Sequence, residues 1–288
     1  MSTLLARATT FGRMIRFSHS IFALPFALTS MVLAAQGVGL LPQKVALIIV
    51  AMVAARSAAM GFNRLVDHAI DARNPRTASR ELPRGALSRA EVSLFVVLCA
   101  AVFTVASFFL NPLCFALSPV ALAIVLGYSY TKRFTSLAHG VLGLSLAIAP
   151  VGAWLAVRGA FAWTPVVLGL GVLGWVAGFD ILYSCQDLEI DRREGLHSVP
   201  AALGIAGALR VARACHVAAV LALGAVFFLV PLHPAYLVGV ALVAALLAYE
   251  HSLVRADDLS RLDTAFFAVN GWVSVLYFVA TLAAVSLR

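Results

Sequence analysis

NRLVDHAID, residues 63–71, closes an apolar stretch with Asn63, Asp67 and Asp71 spaced four residues apart. At 3.6 residues per turn, that spacing keeps the three polar side chains on one broad face of a helix, with their oxygens stacked along it. The chain around them avoids charge. Of its 288 residues, 62% are hydrophobic and 12% charged, against about 45–50% and about 25% in soluble domains. Too little polar surface remains for a water-soluble fold, so carboxylates on such a helix belong near the end of a membrane span.

Working outward from this run, apolar segments of spanning length fall at 15–36, 44–63, 91–110, 112–130, 137–157, 161–183, 208–230, 234–251 and 264–287. The expected fold is an all-α polytopic membrane protein of nine transmembrane helices. Arg7, Arg13 and Arg16 give the first segment the outline of a secretory signal, but no soluble domain follows it, and it reads as a retained span. With the N-terminus inside, 17 of the 21 Lys and Arg residues lie on one face, as the positive-inside rule requires. The N-terminus and the polar loops after the acidic runs are therefore expected on the cytoplasmic side of the inner membrane. A net charge of +8 then needs no nucleic-acid partner and suits anionic lipids. Nothing in the pattern asks for an obligate protein partner. Cys99, Cys114, Cys185 and Cys215 are scattered without a C-x-x-C pair, which implies neither a disulfide framework nor a zinc site.

A shift of 120 residues brings DILYSCQDLEID, residues 180–191, onto the first run: Asp67 maps onto Asp187, Asp71 onto Asp191 and Asn63 onto Tyr183. One run ends the second span and the other ends the sixth. The chain therefore reads as one transmembrane domain, 1–288, made of two four-helix repeats, about 15–130 and 137–251, with an extra helix at about 264–287. Such parallel repeats are related by an axis along the membrane normal. The second run is expected to place Asp180, Tyr183, Asp187 and Asp191 on one helical face, as the first does. ARNPRTASRELPRGALSR and RREGLHSVPAALGIAG follow the two runs, and short capping helices are expected in both.

Facing clusters with at least four carboxylates repel one another unless they are protonated or neutralised by cations. Mg2+ is the natural candidate, a hard ion commonly shared between one or two carboxylates and the phosphates of a substrate; Ca2+ or Mn2+ would use the same ligands. Arg64, Arg73, Arg76, Arg80, Arg84, Lys132, Arg133, Arg192 and Arg193 fall in the same layer. Their forked and point-charge donors suit a diphosphate, although the positive-inside rule accounts for many of them on its own. A charged head at the bilayer edge with a greasy tail inside it describes an isoprenoid diphosphate. Metal ions would draw charge from the diphosphate and let the allylic C–O bond ionise. A dry cavity lined with aromatic rings would protect the resulting cation.

N-x-x-x-D-x-x-x-D at 63–71 and D-x-x-Y-x-x-x-D-x-x-x-D at 180–191, with RTASR at 76–80 and YTKR at 130–133, resemble the UbiA superfamily of intramembrane aromatic prenyltransferases. The resemblance spans most of the chain. It implies a nine-helix bundle, a Mg2+-bound prenyl diphosphate and electrophilic substitution on an aromatic ring. Carried over by position, Asn63, Asp67 and Asp71 would hold one Mg2+ with the diphosphate, and Asp187 and Asp191 the other. Asp180 and Tyr183 would lie deeper, where the second substrate meets the reacting carbon. Arg76, Arg80, Lys132 and Arg133 become diphosphate contacts, with snorkelling at the membrane edge as the alternative.

Within the superfamily the chain resembles the 4-hydroxybenzoate polyprenyltransferase branch, which implies polyprenyl transfer to 4-hydroxybenzoate in quinone biosynthesis. It departs from ubiquinone-pathway members in IRFSHSIFALPF, where those resemble R-x-D-K-P-x-G, and in Arg80-Glu81-Leu82, where Arg-Pro-Leu is usual. Members with these features resemble menaquinone-pathway enzymes acting on 1,4-dihydroxy-6-naphthoate.

Arg56 is a charge within the second span, seven residues before Asn63, and is expected to bind an acceptor carboxylate or support the acidic cluster. His19, His68 and His197 read as structural, and Gly174-x-x-x-Gly178 as close helix packing. The competing class is a secondary transporter, but transporters keep coupling residues near the midplane, whereas these acids gather at one edge. A phospholipid head-group transferase would show a D-G-x-x-A-R type of signature, and ATP hydrolysis a G-x-x-x-x-G-K-[ST] loop; the chain has neither.

Overall fold

The computed structural model describes residues 2–15 and 22–288. In chain order its α-helices are α1 Ser2–Met14, α2 Leu24–Ala35, α3 Pro42–Arg73, α4 Arg89–Leu110, α5 Pro112–Thr131, α6 Ala138–Arg158, α7 Trp163–Ser184, α8 Leu188–Arg193, α9 Val199–Ala225, α10 Ala235–Leu253 and α11 Asn270–Ser286. Among the described residues no strand is longer than an isolated bridge between Arg255 and Asp258. Among the described residues, eight helical segments are long and apolar enough to cross a membrane, and α2 is a shorter apolar helix. The expected all-α membrane architecture is present, with α2 to α7 and α9 to α11 standing for the nine spans.

The first span needs correction. α2 has 12 residues, too few to cross about 30 Å of hydrocarbon alone, and a separate helix, α1, precedes it. Arg16 and His19 lie outside the described residues. α1 docks on α4: Phe11 stacks on Phe95 with centroids 4.9 Å apart, Arg7 pairs with Glu91 at 2.8 Å, and Met14 and Ile15 bury themselves against Leu82, Leu87 and Val92.

Local chemistry sets the helix ends. Pro42 opens α3, where its missing N–H costs nothing. Ser88 and Glu91 form a capping box on α4. Asn111 Oδ1 accepts from the Cys114 N–H at 2.9 Å just ahead of Pro112, so the tight turn between the third and fourth spans is a true division. Gly159, at φ 66°, ends α6 in the left-handed conformation.

The two acidic runs differ in backbone. α3 continues through the whole of NRLVDHAID to Arg73, and Pro75 after Asn74 disfavours further helix. α7 stops at Ser184, Cys185–Asp187 form a 3-10 turn, and α8 then resumes. Asp180, Tyr183, Asp187 and Asp191 therefore do not share one uninterrupted helical face, because the tighter turn re-aims everything beyond it. The loops differ as well. The second contains the expected short helices: α8, and the first turn of α9 before the non-helical Gly204 at φ 67°, ψ 174°. The first, from 74 to 88, contains turns only. Pro75 and Pro83 remove ladder donors there, and Gly85 takes φ 74°.

α3 packs on α4 and α5; α6 on α2, α5 and α7; α7 on α9; α10 lies against α9 and α11; and α11 returns to α2. α7 is buried along most of its length, and its glycines permit this. A Cβ at Gly174 would stand 2.8 Å from the Cys215 carbonyl, and one at Gly178 would stand 2.2 Å from the His216 ring. That ring cannot yield, since the Trp175 carbonyl and His251 hold it at 3.2 and 3.0 Å. Gly178→Ala is expected to lower the detergent melting temperature, at a cost of about 1–3 kcal/mol. Gly127→Ala, where a Cβ meets nothing within 4 Å, serves as the neutral control, and equal melting of the two variants would refute the close approach.

Candidate functional site

A cavity of about 510 Å³ runs inside the bundle. Ile48 and Asp71 both line it and lie 23 residues apart on α3, a distance of about 35 Å at 1.5 Å per residue. Over most of that length the wall is apolar, with Ala51, Met52, Leu110, Val125, Ala149 and Leu155 on it. One end is densely charged. Of the residues expected at the site, Arg56, Asn63, Asp67, Asp71, Arg76, Arg80, Lys132, Asp180, Tyr183, Asp187 and Asp191 all line this cavity, and Arg133 does not.

The carboxylates meet cations supplied by other segments. Asp67, 3% exposed, receives Lys132 Nζ at 2.6 Å and Arg133 Nη2 at 3.1 Å, and the Asn63 amide donates to it at 3.0 Å. Arg133 also donates to the Ser129 and Val66 carbonyls, so it fastens α5 to α3 from outside the cavity wall. Asp71, 5% exposed, is held by Arg80 Nη1 at 2.7 Å to both oxygens, with Arg64 at 4.0 Å. Arg76 forks onto Asp187 at 3.0 and 2.5 Å, and the Asn74 amide adds a third donor at 3.1 Å. The first loop thus reaches across to the second acidic run. Burial opposes the charge on Arg76, but the hydrogen bond and negative charge of Asp187 outweigh it and raise its pKa above the usual arginine value.

These pairs correct one expectation. The carboxylates do not depend on metal ions for neutralisation, because Lys132, Arg133, Arg80, Arg64 and Arg76 already neutralise three of them. Among the described residues, no group of three or more His, Cys, Asp and Glu side chains converges closely enough to hold a metal. Asn63, Asp67, Asp71, Asp187 and Asp191 share one cavity end without forming a ready-made ligand shell.

Deeper in, Tyr183 stacks on Phe266 with centroids 4.0 Å apart, and Arg76 lies 5.5 Å over the tyrosine ring. Asp180 faces the same space and is held by His139, whose Nδ1 lies 2.7 Å from Asp180 Oδ2. Arg56 donates to the Ile15 carbonyl at 3.1 Å and Arg64 to the Met14 carbonyl at 3.4 Å, so both tie α1 to the cavity wall. Among the described residues the buried His68 Nδ1 has no hydrogen-bond partner, and the His197 backbone N–H donates to the Lys132 carbonyl at 2.7 Å. Sequence reasoning missed His139 and Asn74. Asn74 had a signal in the Asn-Pro pair that ends α3; His139, in the stretch LAHG, had none.

Residues 23–285 match the UbiA prenyltransferase family. The chain belongs to that family. Among curated relatives, a 4-hydroxybenzoate octaprenyltransferase from Alkalilimnicola ehrlichii is 33% identical over 236 residues, covering 79% of this chain and 77% of the relative. Among solved structures, the apo form of a UbiA homolog from Aeropyrum pernix K1 superposes with a TM-score of 0.84 at 32% identity, covering 92% of this chain and 98% of that one. A UbiA homolog from Archaeoglobus fulgidus bound to DMAPP and Mg2+ has a TM-score of 0.74 at 19% identity, covering 97% and 100% of the two chains, and shares the fold. Membership of the UbiA family makes this integral membrane protein a prenyltransferase and removes the transporter reading.

Proposed function

We propose that this chain transfers a polyprenyl group from a prenyl diphosphate to an aromatic acid, 4-hydroxybenzoate, in quinone biosynthesis, with the charged end of the cavity at the cytoplasmic face. One observation carries the reading. A single cavity, about 35 Å from end to end, joins carboxylates and phosphate-seeking cations at one end to a shaft whose wall is apolar over most of the remaining length. The head group and tail of a polyprenyl diphosphate have those two properties. The name of the Alkalilimnicola relative supports the acceptor, and the ligands of the Archaeoglobus homolog support the donor and the ion.

By the chemistry of their donors the residues present fit Mg2+ that a diphosphate helps to hold. Their donors are hard oxygens, and Asp191, on the cavity wall, has Ser198 as a side-chain hydrogen-bond partner. In this reading Asn63, Asp67 and Asp71 would hold one ion, and Asp187 and Asp191 a second, with diphosphate completing both shells. Bound Mg2+ would neutralise the diphosphate and make it a better leaving group. The chain's own groups do the rest. Lys132, Arg80 and Arg76 exchange their carboxylate partners for phosphate oxygens, to which Arg binds as a fork. The apolar shaft excludes water from the reactive carbon, and Tyr183, backed by Phe266, presents an aromatic face to the developing cation. Arg56, on the wall between shaft and charged end, is placed to meet an acceptor carboxylate.

The stretch IRFSHSIFALPF and Arg80-Glu81-Leu82 favour a second acceptor, 1,4-dihydroxy-6-naphthoate. Purified protein given farnesyl diphosphate, Mg2+ and both acids together is expected to release diphosphate and yield ring-prenylated 4-hydroxybenzoate, identified by product mass. Prenylated naphthoate alone would replace the acceptor, and no prenylated product from either acid would end the reading.

A further inference from the structure

We infer that Asp180 is the group that removes the ring proton from the aromatic acceptor and that His139 is the residue that positions it. The inference rests on the proposed arene prenylation and names the proton acceptor for that reaction. Asp180 lies on α7 and His139 on α6, and both line the cavity on the shaft side of the ion-paired carboxylates. The His139 side chain is 8% exposed and that of Asp180 27%, so the imidazole is built into the wall while the carboxylate reaches the open space.

The orientation of the pair is determined by a third element. The Val199 N–H, in the first turn of α9, donates to His139 Nε2 at 3.3 Å. A nitrogen that accepts carries no hydrogen, so Nδ1 carries it and donates to Asp180 Oδ2 at 2.7 Å. This is the ordering of a base by a histidine whose tautomer a neighbouring group decides. Here the carboxylate is the base and the imidazole holds it. α6 and α7, which carry the pair, pack closely on each other, and the Val199 N–H comes from the short helical turn ahead of Gly204; an aligned proton acceptor requires such support.

The step balances. The C–O bond of the donor breaks and its electron pair leaves with diphosphate. A ring π pair forms the new C–C bond, giving a cyclohexadienyl cation. The C–H pair at the substituted carbon returns to the ring, and the proton passes to Asp180 Oδ1, the oxygen not engaged by His139. From there it leaves through the charged, water-accessible end of the cavity. The acids nearer the charged end are poor alternatives, since the proposed function commits Asp67, Asp71, Asp187 and Asp191 to holding the ions.

The test uses full-length protein in lipid nanodiscs with Mg2+, farnesyl diphosphate and either ordinary or ring-deuterated 4-hydroxybenzoate. Asp180→Asn is expected to bind a farnesyl thiodiphosphate as wild type does and to form product about 10²-fold more slowly. It should also show a primary isotope effect that wild type lacks, because proton removal has become the slow step. His139→Leu should reproduce that isotope effect. His139→Asn, whose amide can donate from near the Nδ1 position, should restore much of the rate. A merely structural role would instead lower melting and analogue binding in step with rate, with no isotope effect. Wild-type turnover in Asp180→Asn, or a slow variant without an isotope effect, would overturn the pair alone. Wild-type protein inert toward aromatic acids would overturn the underlying reading and the pair with it.

Discussion

Asp67→Asn protein is expected to fold, to retain its melting temperature within a few degrees, and to form prenylated product about 10³-fold more slowly than wild type, a loss of about 4 kcal/mol in transition-state stabilisation. The size follows from what Asp67 contributes in the proposed reaction. Asp67 lines the charged end of the cavity together with Asp71 and Asp187, and the substitution removes the charge that would hold a divalent ion against the diphosphate. Folding should survive because the partners left behind are not stranded. The Lys132 and Arg133 side chains are 32% and 30% exposed, so water can replace the lost carboxylate, and Arg133 keeps its bonds to the Ser129 and Val66 carbonyls. Asp191→Asn should behave similarly. Excess EDTA should stop wild-type turnover, and Mg2+, Mn2+ and Ca2+ added back singly will rank the ions. Full turnover in EDTA, or in well-folded Asp67→Asn, would dispose of the metal role.

A comparable loss, in stability rather than rate, is expected at Asn270, far from that chemistry in sequence. The Trp175 indole donates to Asn270 Oδ1 at 2.6 Å, and the Asn270 amide donates to Glu250 Oε1 at 2.8 Å. All three residues are 0% exposed. Trp175 also gives its carbonyl to His216 Nε2 at 3.2 Å, and His216 meets His251 at 3.0 Å. Asn270→Leu removes an acceptor and a donor at once, leaving an indole N–H and a carboxyl oxygen without partners. Each unsatisfied buried group costs about 1–3 kcal/mol, so a loss of about 2–6 kcal/mol is expected in detergent unfolding. That exceeds the ~0.6 kcal/mol typical of one interhelical hydrogen bond in a membrane, because the unpaired groups remain inside a packed core. A melting curve that overlays wild type would refute this account of how α7, α10 and α11 are joined.

Much of the site was legible because membrane spans obey local rules. Asn63, Asp67 and Asp71 follow one another up a continuous helix, and their gathering at one end of α3 needs only the i+4 spacing and the length of the apolar run. Asp187 and Asp191 were legible as partners through the repeat of the pattern, but their geometry was not: the 3-10 turn at Cys185–Asp187 has no counterpart in NRLVDHAID. The first loop was expected to hold short capping helices because it mixes Arg, Pro and small residues, while Pro75 and Pro83 and a pull from distant carboxylates decide otherwise.

By itself the sequence determined the membrane class, the all-α architecture and which residues would collect at one polar end. In a bilayer each span must satisfy its own backbone, so length, hydropathy and spacing are properties of single segments. Only the tertiary structure decided which charge answers which, from Arg76 on Asp187 to His139 on Asp180. Those pairs join residues 111 and 41 positions apart, and their distances depend on how helices pack against one another, which no single stretch of chain contains.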